Sequence, residues 1–156
     1  MPVQNVDVSD IFTRLANLLE IRDANPFRVR AYRNAARTVA NMARSVADMV
    51  AADEDLTELE GVGEDLAAKI EEIVATGTLD QLSALERKMP GDFDALLRIN
   101  GLGPKRIARL HEALGIENPD QLKAAAEAHR IRELPGFGKK TEETFRREAA
   151  RIGPTK

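Results

Sequence analysis

Cysteine and tryptophan are absent from this chain of 156 residues, and tyrosine occurs once. Without cysteine there is no disulfide, no thiolate metal site and no thiol nucleophile, a composition compatible with a reducing intracellular compartment. Aromatic residues make up only 4% of the chain, which argues against a large adhesive interface and leads to the expectation of a monomer. No apolar run approaches the roughly 20 residues that cross a bilayer, and no basic-then-apolar leader opens the sequence. A cytoplasmic protein with no membrane partner is expected. An excess of positive charge is missing as well, since the formal net charge is −3. What is present is 43% apolar residues, enough for a core in one compact unit or two small ones.

The charge is unevenly spread, and its placement matters more than its sum. Residues 1–50 carry a net +2, residues 51–90 a net −8 and residues 91–156 a net +3. Into this pattern falls a phrase that recurs three times: an aliphatic residue, one spacer, then glycine-hydrophobic-glycine. The copies are Leu59 with Gly61-Val62-Gly63, Ile99 with Gly101-Leu102-Gly103, and Leu134 with Gly136-Phe137-Gly138. A helix-forming stretch follows each, so the glycines stand at a helix N-terminus, where unpaired N–H groups and the helix dipole favour an anion. Glycine also lets another backbone approach closely. A contact made by main chain, repeated three times, suits a repeating anion read without regard to sequence, as in the phosphates of DNA.

The three copies differ in their surroundings. Glu58, Glu60, Glu64 and Asp65 crowd the first, making Gly61 and Gly63 the weakest of the phosphate candidates. Lys105, Arg106 and Arg109 follow Gly101 and Gly103, and Lys139 and Lys140 follow Gly138, so the second and third copies are the better anchors. Arg30, Arg33 and Arg37 recur at three- and four-residue spacing, a stripe that suits either DNA or solvent. His111 and His129 belong to no ligand pattern and read as surface residues, while Phe137 reads as a core plug.

Periodicity and capping signals predict an all-α protein. Ser9 is placed to cap a first helix with Ile11, Leu15, Leu18, Leu19 and Ile21 on one stripe, ending near Ala24. Asn25 as cap and Pro26 in the first turn open a second helix to about Met42, with Phe27, Ala31, Ala35, Val39 and Met42 spaced to face inward. Further helices are predicted over 46–52, 64–76, 80–88, 93–99, 104–114, 119–128 and 139–152, with Gly77 stopping the fourth. Lys88-Met89-Pro90-Gly91 reads as a break between domains at 1–88 and 91–156, and the terminal Gly-Pro-Thr-Lys is expected to fray.

These residues resemble the helix-hairpin-helix N-terminal region of the family-X DNA polymerases, the polymerase-beta-like family including its bacterial members. The segment from Asn25 through Tyr32 to Ala36 is similar to the second helix of that family's lyase domain. Leu59 to Leu79 resembles its first hairpin and following helix, Ile99 to Gly115 its second hairpin, and Leu134 to Glu143 a third hairpin of bacterial members. The resemblance implies a four-helix lyase-like domain with one hairpin, followed by a small helical domain with two hairpins in tandem. It implies sequence-independent DNA binding in repair at gaps or nicks. Polymerization needs a palm domain, for which the residues after Gly138 are too few, so the chain reads as a fragment of a polymerase or a free-standing relative.

The resemblance also implies a second activity, a 5′-deoxyribose-phosphate lyase with Lys69 as Schiff-base nucleophile. Asp65 and Glu72 share its helical face and stabilise the ammonium form, while Asp65, Thr57 and Gln81 stand where the family carries basic residues. Arg28 keeps a cation, and Phe27 and Tyr32 keep aromatic character at positions the family uses for stacking and support. The hairpins are implied to hold potassium or sodium on the carbonyls of Leu97, Ile99 and Leu102, and of Thr57, Leu59 and Val62. A third reading is a protein-interaction scaffold whose acidic first hairpin engages a basic partner.

Overall fold

A computed structural model describes residues 2–22, 25–89 and 91–152. Every regular element among them is helical. The chain divides into two compact units, Met1–Lys88 and Met89–Lys156. The expected end of the first helix near Ala24, the break at Pro90 and the terminal Gly-Pro-Thr-Lys fall partly or wholly outside the described residues. No described helix is long and apolar enough to cross a membrane.

The first unit contains α1 (Asn5–Ile21), α2 (Pro26–Ala40), α3 (Val46–Ala51), α4 (Glu64–Thr76) and α5 (Asp80–Lys88). Helix α1 starts four residues before the Ser9 cap predicted from sequence. Asp7 accepts the Gln4 backbone N–H at 2.9 Å and closes the N-terminus there. Ser9 lies inside the helix, and its hydroxyl donates to the Ala36 carbonyl of α2 at 2.9 Å. Asn25 does cap α2, accepting the Phe27 N–H at 2.8 Å with Pro26 in the first turn.

The inward face of α2 is Val29, Tyr32, Ala35, Ala36 and Val39, which corrects the stripe expected from sequence. Phe27, 74% exposed, and Ala31 point to solvent because the register that buries Tyr32 turns them outward. Against this face lie Val8, Phe12, Leu15 and Ala16 of α1, all fully buried, with the Phe12 and Tyr32 rings 6.0 Å apart. Each of the larger side chains here contributes roughly 1.5–3 kcal/mol on burial, so the α1–α2 pair anchors this unit. Helix α4 adds Leu66, Ala67, Ile70 and Ile73 and stops at Gly77, whose φ of +79° a side chain would strain. Glu72 then accepts the Asp80 N–H at 2.7 Å, tying the start of α5 to α4.

The second unit contains α6 (Phe93–Leu97), α7 (Pro104–Leu114), α8 (Pro119–Glu127) and α9 (Lys139–Ile152). Pro104 and Pro119 both occupy first-turn positions, where a missing N–H costs nothing. Helices α8 and α9 pack together around Leu122, Ile131, Phe145 and Ala149. At Gly91 φ is +133° and a Cβ would sit 2.8 Å from that of Glu117, so glycine alone lets Asp92 donate to the Glu117 carbonyl at 2.8 Å. That clip holds α6 to the approach of α8.

Candidate nucleic-acid interface

The three glycine phrases form the same backbone hairpin three times. In each, the middle apolar residue donates its N–H to the aliphatic residue three before it: Val62 to Leu59, Leu102 to Ile99 and Phe137 to Leu134, all at 3.1 Å. The carbonyl of the second glycine of each then accepts the N–H of the fourth residue of the helix that follows, Ala67, Ile107 and Glu142, at 2.9–3.0 Å. Val62, Leu102 and Phe137 are buried and plug each hairpin into its unit.

The two glycines of a hairpin have different physical reasons. Gly61, Gly101 and Gly136 take φ of +77°, +83° and +88°, a left-handed turn that a side chain would strain. Gly63, Gly103 and Gly138 are not left-handed, and a Cβ added to any of them meets nothing within 4 Å. The fold does not demand glycine at these second positions. All three are exposed, each at the N-terminus of a helix of eleven or more residues, whose first N–H groups point outward.

The side chains around the hairpins separate them. Glu64 and Asp65 occupy the first two helical positions after Gly63, whereas Pro104 and Lys105 follow Gly103, and Lys139 and Lys140 follow Gly138. Lys105, Lys139 and Lys140 are exposed, and none makes an ion pair among the described residues. The first hairpin is also held to α2, where the Thr38 hydroxyl donates to the Glu60 carbonyl at 2.9 Å.

Arg106 and Arg109 are not free cations beside Lys105. Arg106 donates to the Gly101 carbonyl at 3.0 Å and Arg109 to the Pro135 carbonyl, and both guanidiniums lie over the Phe137 ring, at 5.5 and 4.9 Å. Helix α7 thus reaches both of its unit's hairpins. Sequence spacing gave no sign of this, because it places residues on a helix face without saying which carbonyl a long side chain meets.

In the first unit the candidates scatter. Tyr32 is 4% exposed and its hydroxyl donates to Gln81 at 3.2 Å, so its ring belongs to the core and offers no face to a base. Arg33 is bound to α1, donating to Asn17 at 2.9 Å and pairing with Glu20 at 2.6 Å. Arg30 stays exposed, 5.7 Å from the Phe27 ring centre, which breaks up the predicted stripe. Lys69 pairs with Asp65 at 2.8 Å, its side chain only 17% exposed. Arg28 lines a cleft of about 450 Å³ with Arg22, Lys88, Gln81, Leu19, Ala84 and Leu85. Three cations and no carboxylate line it, and sequence reasoning missed Arg22 and Lys88 because they come from the ends of different helices.

A buried carboxylate also escaped the sequence. Glu142, 2% exposed, accepts the Arg132 backbone N–H at 2.9 Å, its Nε at 2.8 Å and meets His129 Nδ1 at 3.1 Å. Burial alone pushes this carboxyl up, but the three hydrogen bonds and the Arg132 charge outweigh it and hold it below the ordinary 4.5. His129, expected at the surface, is exposed but tied to Glu142; His111 is half-buried, with Nδ1 3.2 Å from the Ile116 carbonyl and its ring edge-on to Phe93. Among the described residues no group of His, Asp and Glu side chains could hold a metal ion.

Residues 3–79 match the family described as "Helix-hairpin-helix domain", and residues 93–151 match "SAM-like Helix-hairpin-helix tandem". Over 137 residues, 88% of its length, the chain is 33% identical to the "DNA polymerase/3'-5' exonuclease PolX" of Bacillus subtilis (strain 168). It spans 23% of that protein.

Proposed function

The chain is a helix-hairpin-helix region of the family-X DNA polymerase kind, and on that premise we propose that it binds the sugar-phosphate backbone of DNA without reading bases, in repair at gaps or nicks. The observation that carries this reading is the open space at Gly103 and Gly138. A glycine that the fold does not need, at a helix N-terminus facing solvent, leaves room for a strand whose phosphate oxygens accept the outward N–H groups. Lys105, Lys139 and Lys140 supply the countercharge. Gly101 and Gly136 set the turn that aims those amides. Gly61 and Gly63 repeat the geometry beside Glu64 and Asp65, whose carboxylates repel phosphate, so the first hairpin contributes least.

In the first unit the Arg22, Arg28 and Lys88 cleft gives a phosphate a second place to rest, and exposed Phe27 with Arg30 gives a face for an unpaired base. Lys69, the nucleophile of the alternative lyase reading, is paired with Asp65 at 2.8 Å. The hairpin carbonyls suit potassium or sodium. The Ile99 carbonyl accepts the Leu102 N–H and the Leu59 carbonyl the Val62 N–H, each leaving a lone pair for a cation shared with Leu97 and Leu102, or with Thr57 and Val62. Such an ion would link carbonyl oxygens to a phosphate. The protein acts as a monomer in the cytoplasm, associated with DNA.

Titrating gapped duplex across salt concentrations tests the reading. The logarithm of affinity is expected to fall linearly with log salt by about 0.7–0.9 for each phosphate neutralised. Affinity indifferent to salt would contradict it.

A further inference from the structure

Arg109 is exposed, yet its guanidinium is engaged by the protein's own main chain and an aromatic ring. One Nη donates to the Pro135 carbonyl, immediately before the left-handed Gly136, and Cζ lies over the Phe137 ring, 4.9 Å from its centre. A Cβ at Gly136 would stand 3.2 Å from the other Nη, so the arginine packs directly on the corner. Arg106 treats the second hairpin alike, through the Gly101 carbonyl, and shares the same ring at 5.5 Å. Phe137 is buried, edge-on to Phe145 at 6.2 Å, and Phe145 in turn lies 3.8 Å from where a Gly101 side chain would begin. Both glycine corners of this unit therefore meet around one ring and two arginines of α7.

We propose that Arg109 is a positioning residue: by bonding the Pro135 carbonyl while lying on Phe137 it fixes the corner of the third hairpin on α7, and it does not ligate phosphate. A point charge at this position is insufficient. Lysine keeps the charge but loses the flat fork that covers a ring and bonds a carbonyl together.

The test is Arg109→Lys in the full chain, read in two ways. Without DNA, hydrogen exchange at the Phe137 N–H, which is bonded to Leu134, is expected to accelerate about tenfold, while the Leu102 N–H in the second hairpin keeps its rate. Unchanged exchange at Phe137 would overturn the proposal. With gapped duplex, Arg109→Lys and Arg109→Ala are both expected to lose about tenfold in affinity with the parental slope against log salt. A lysine variant of parental affinity, beside an alanine variant whose slope is shallower by about 0.7–0.9, would make Arg109 a phosphate ligand instead. Should Arg109→Lys unfold, Phe137→Leu removes the ring but keeps an apolar plug, and the same selective acceleration is expected at position 137. Only the DNA arm rests on the function proposed above; a parent chain that fails to bind DNA defeats that function and leaves the exchange arm to judge this inference.

Discussion

Lys139→Glu combined with Lys140→Glu is expected to lower affinity for gapped duplex by roughly 100-fold, since each lysine offers phosphate a charge-assisted hydrogen bond attenuated by solvent. The fold should be unharmed. Both residues are exposed at the first two positions of α9, where carboxylates are favoured by the helix dipole and lysines are not. The change gives the third hairpin the charge pattern already present in the first, where Glu64 and Asp65 follow Gly63 on the same backbone. Circular dichroism and melting separate lost binding from lost structure. Were the chain a scaffold for a basic protein, the double change would leave that partner's binding intact. Parental DNA affinity in the folded variant would remove the third hairpin from the interface.

Glu142→Ala should be the most damaging change to a polar contact in this chain. It strips the acceptor from a part-buried backbone N–H of Arg132 and from the Arg132 guanidinium and His129, at a cost of about 2–3 kcal/mol once the partial exposure of those two side chains is allowed for. The melting temperature should fall by about 5–10 °C. Glu142→Gln should recover only part, because an amide N–H₂ turned toward Arg132 sets donor against donor. The pH dependence has a fixed sign. The folded carboxyl is held below its ordinary 4.5, so its stabilisation is present above the unfolded value and disappears as pH falls through the folded one. The gap between the parent and Glu142→Gln should therefore be widest near neutrality and close below about pH 4.5. A gap that widens in acid would contradict the hydrogen-bonded carboxylate.

Elements bounded by local chemistry were legible in the sequence. Asn25-Pro26, Gly77, Pro104 and Pro119 each mark a helix end by what their own backbone permits, and the three glycine phrases disclosed three hairpins. Errors arose where a polar residue had two plausible partners. Ser9 could cap a helix or bond a neighbouring one, and only the packing of α1 on α2 selects the Ala36 carbonyl. The α2 register went astray because Phe27 is aromatic and yet lies beyond the reach of the core, while Tyr32 is drawn in against Phe12. Composition marks Arg106 and Arg109 as phosphate contacts, and that they also bond hairpin carbonyls depends on tertiary packing that spacing does not reveal. Glu142 did leave a signal: with Phe145 and Ala149 it falls at three- and four-residue spacing, an acid on an apolar stripe.

Backbone amide shifts during titration with gapped duplex test the central claim most directly. Saturable shifts are expected to concentrate at Gly101, Gly103 and Lys105 and at Gly136, Gly138, Lys139 and Lys140, with Gly61 and Gly63 moving little. Shifts that spare both of those corners, or that centre on Gly63, would contradict it.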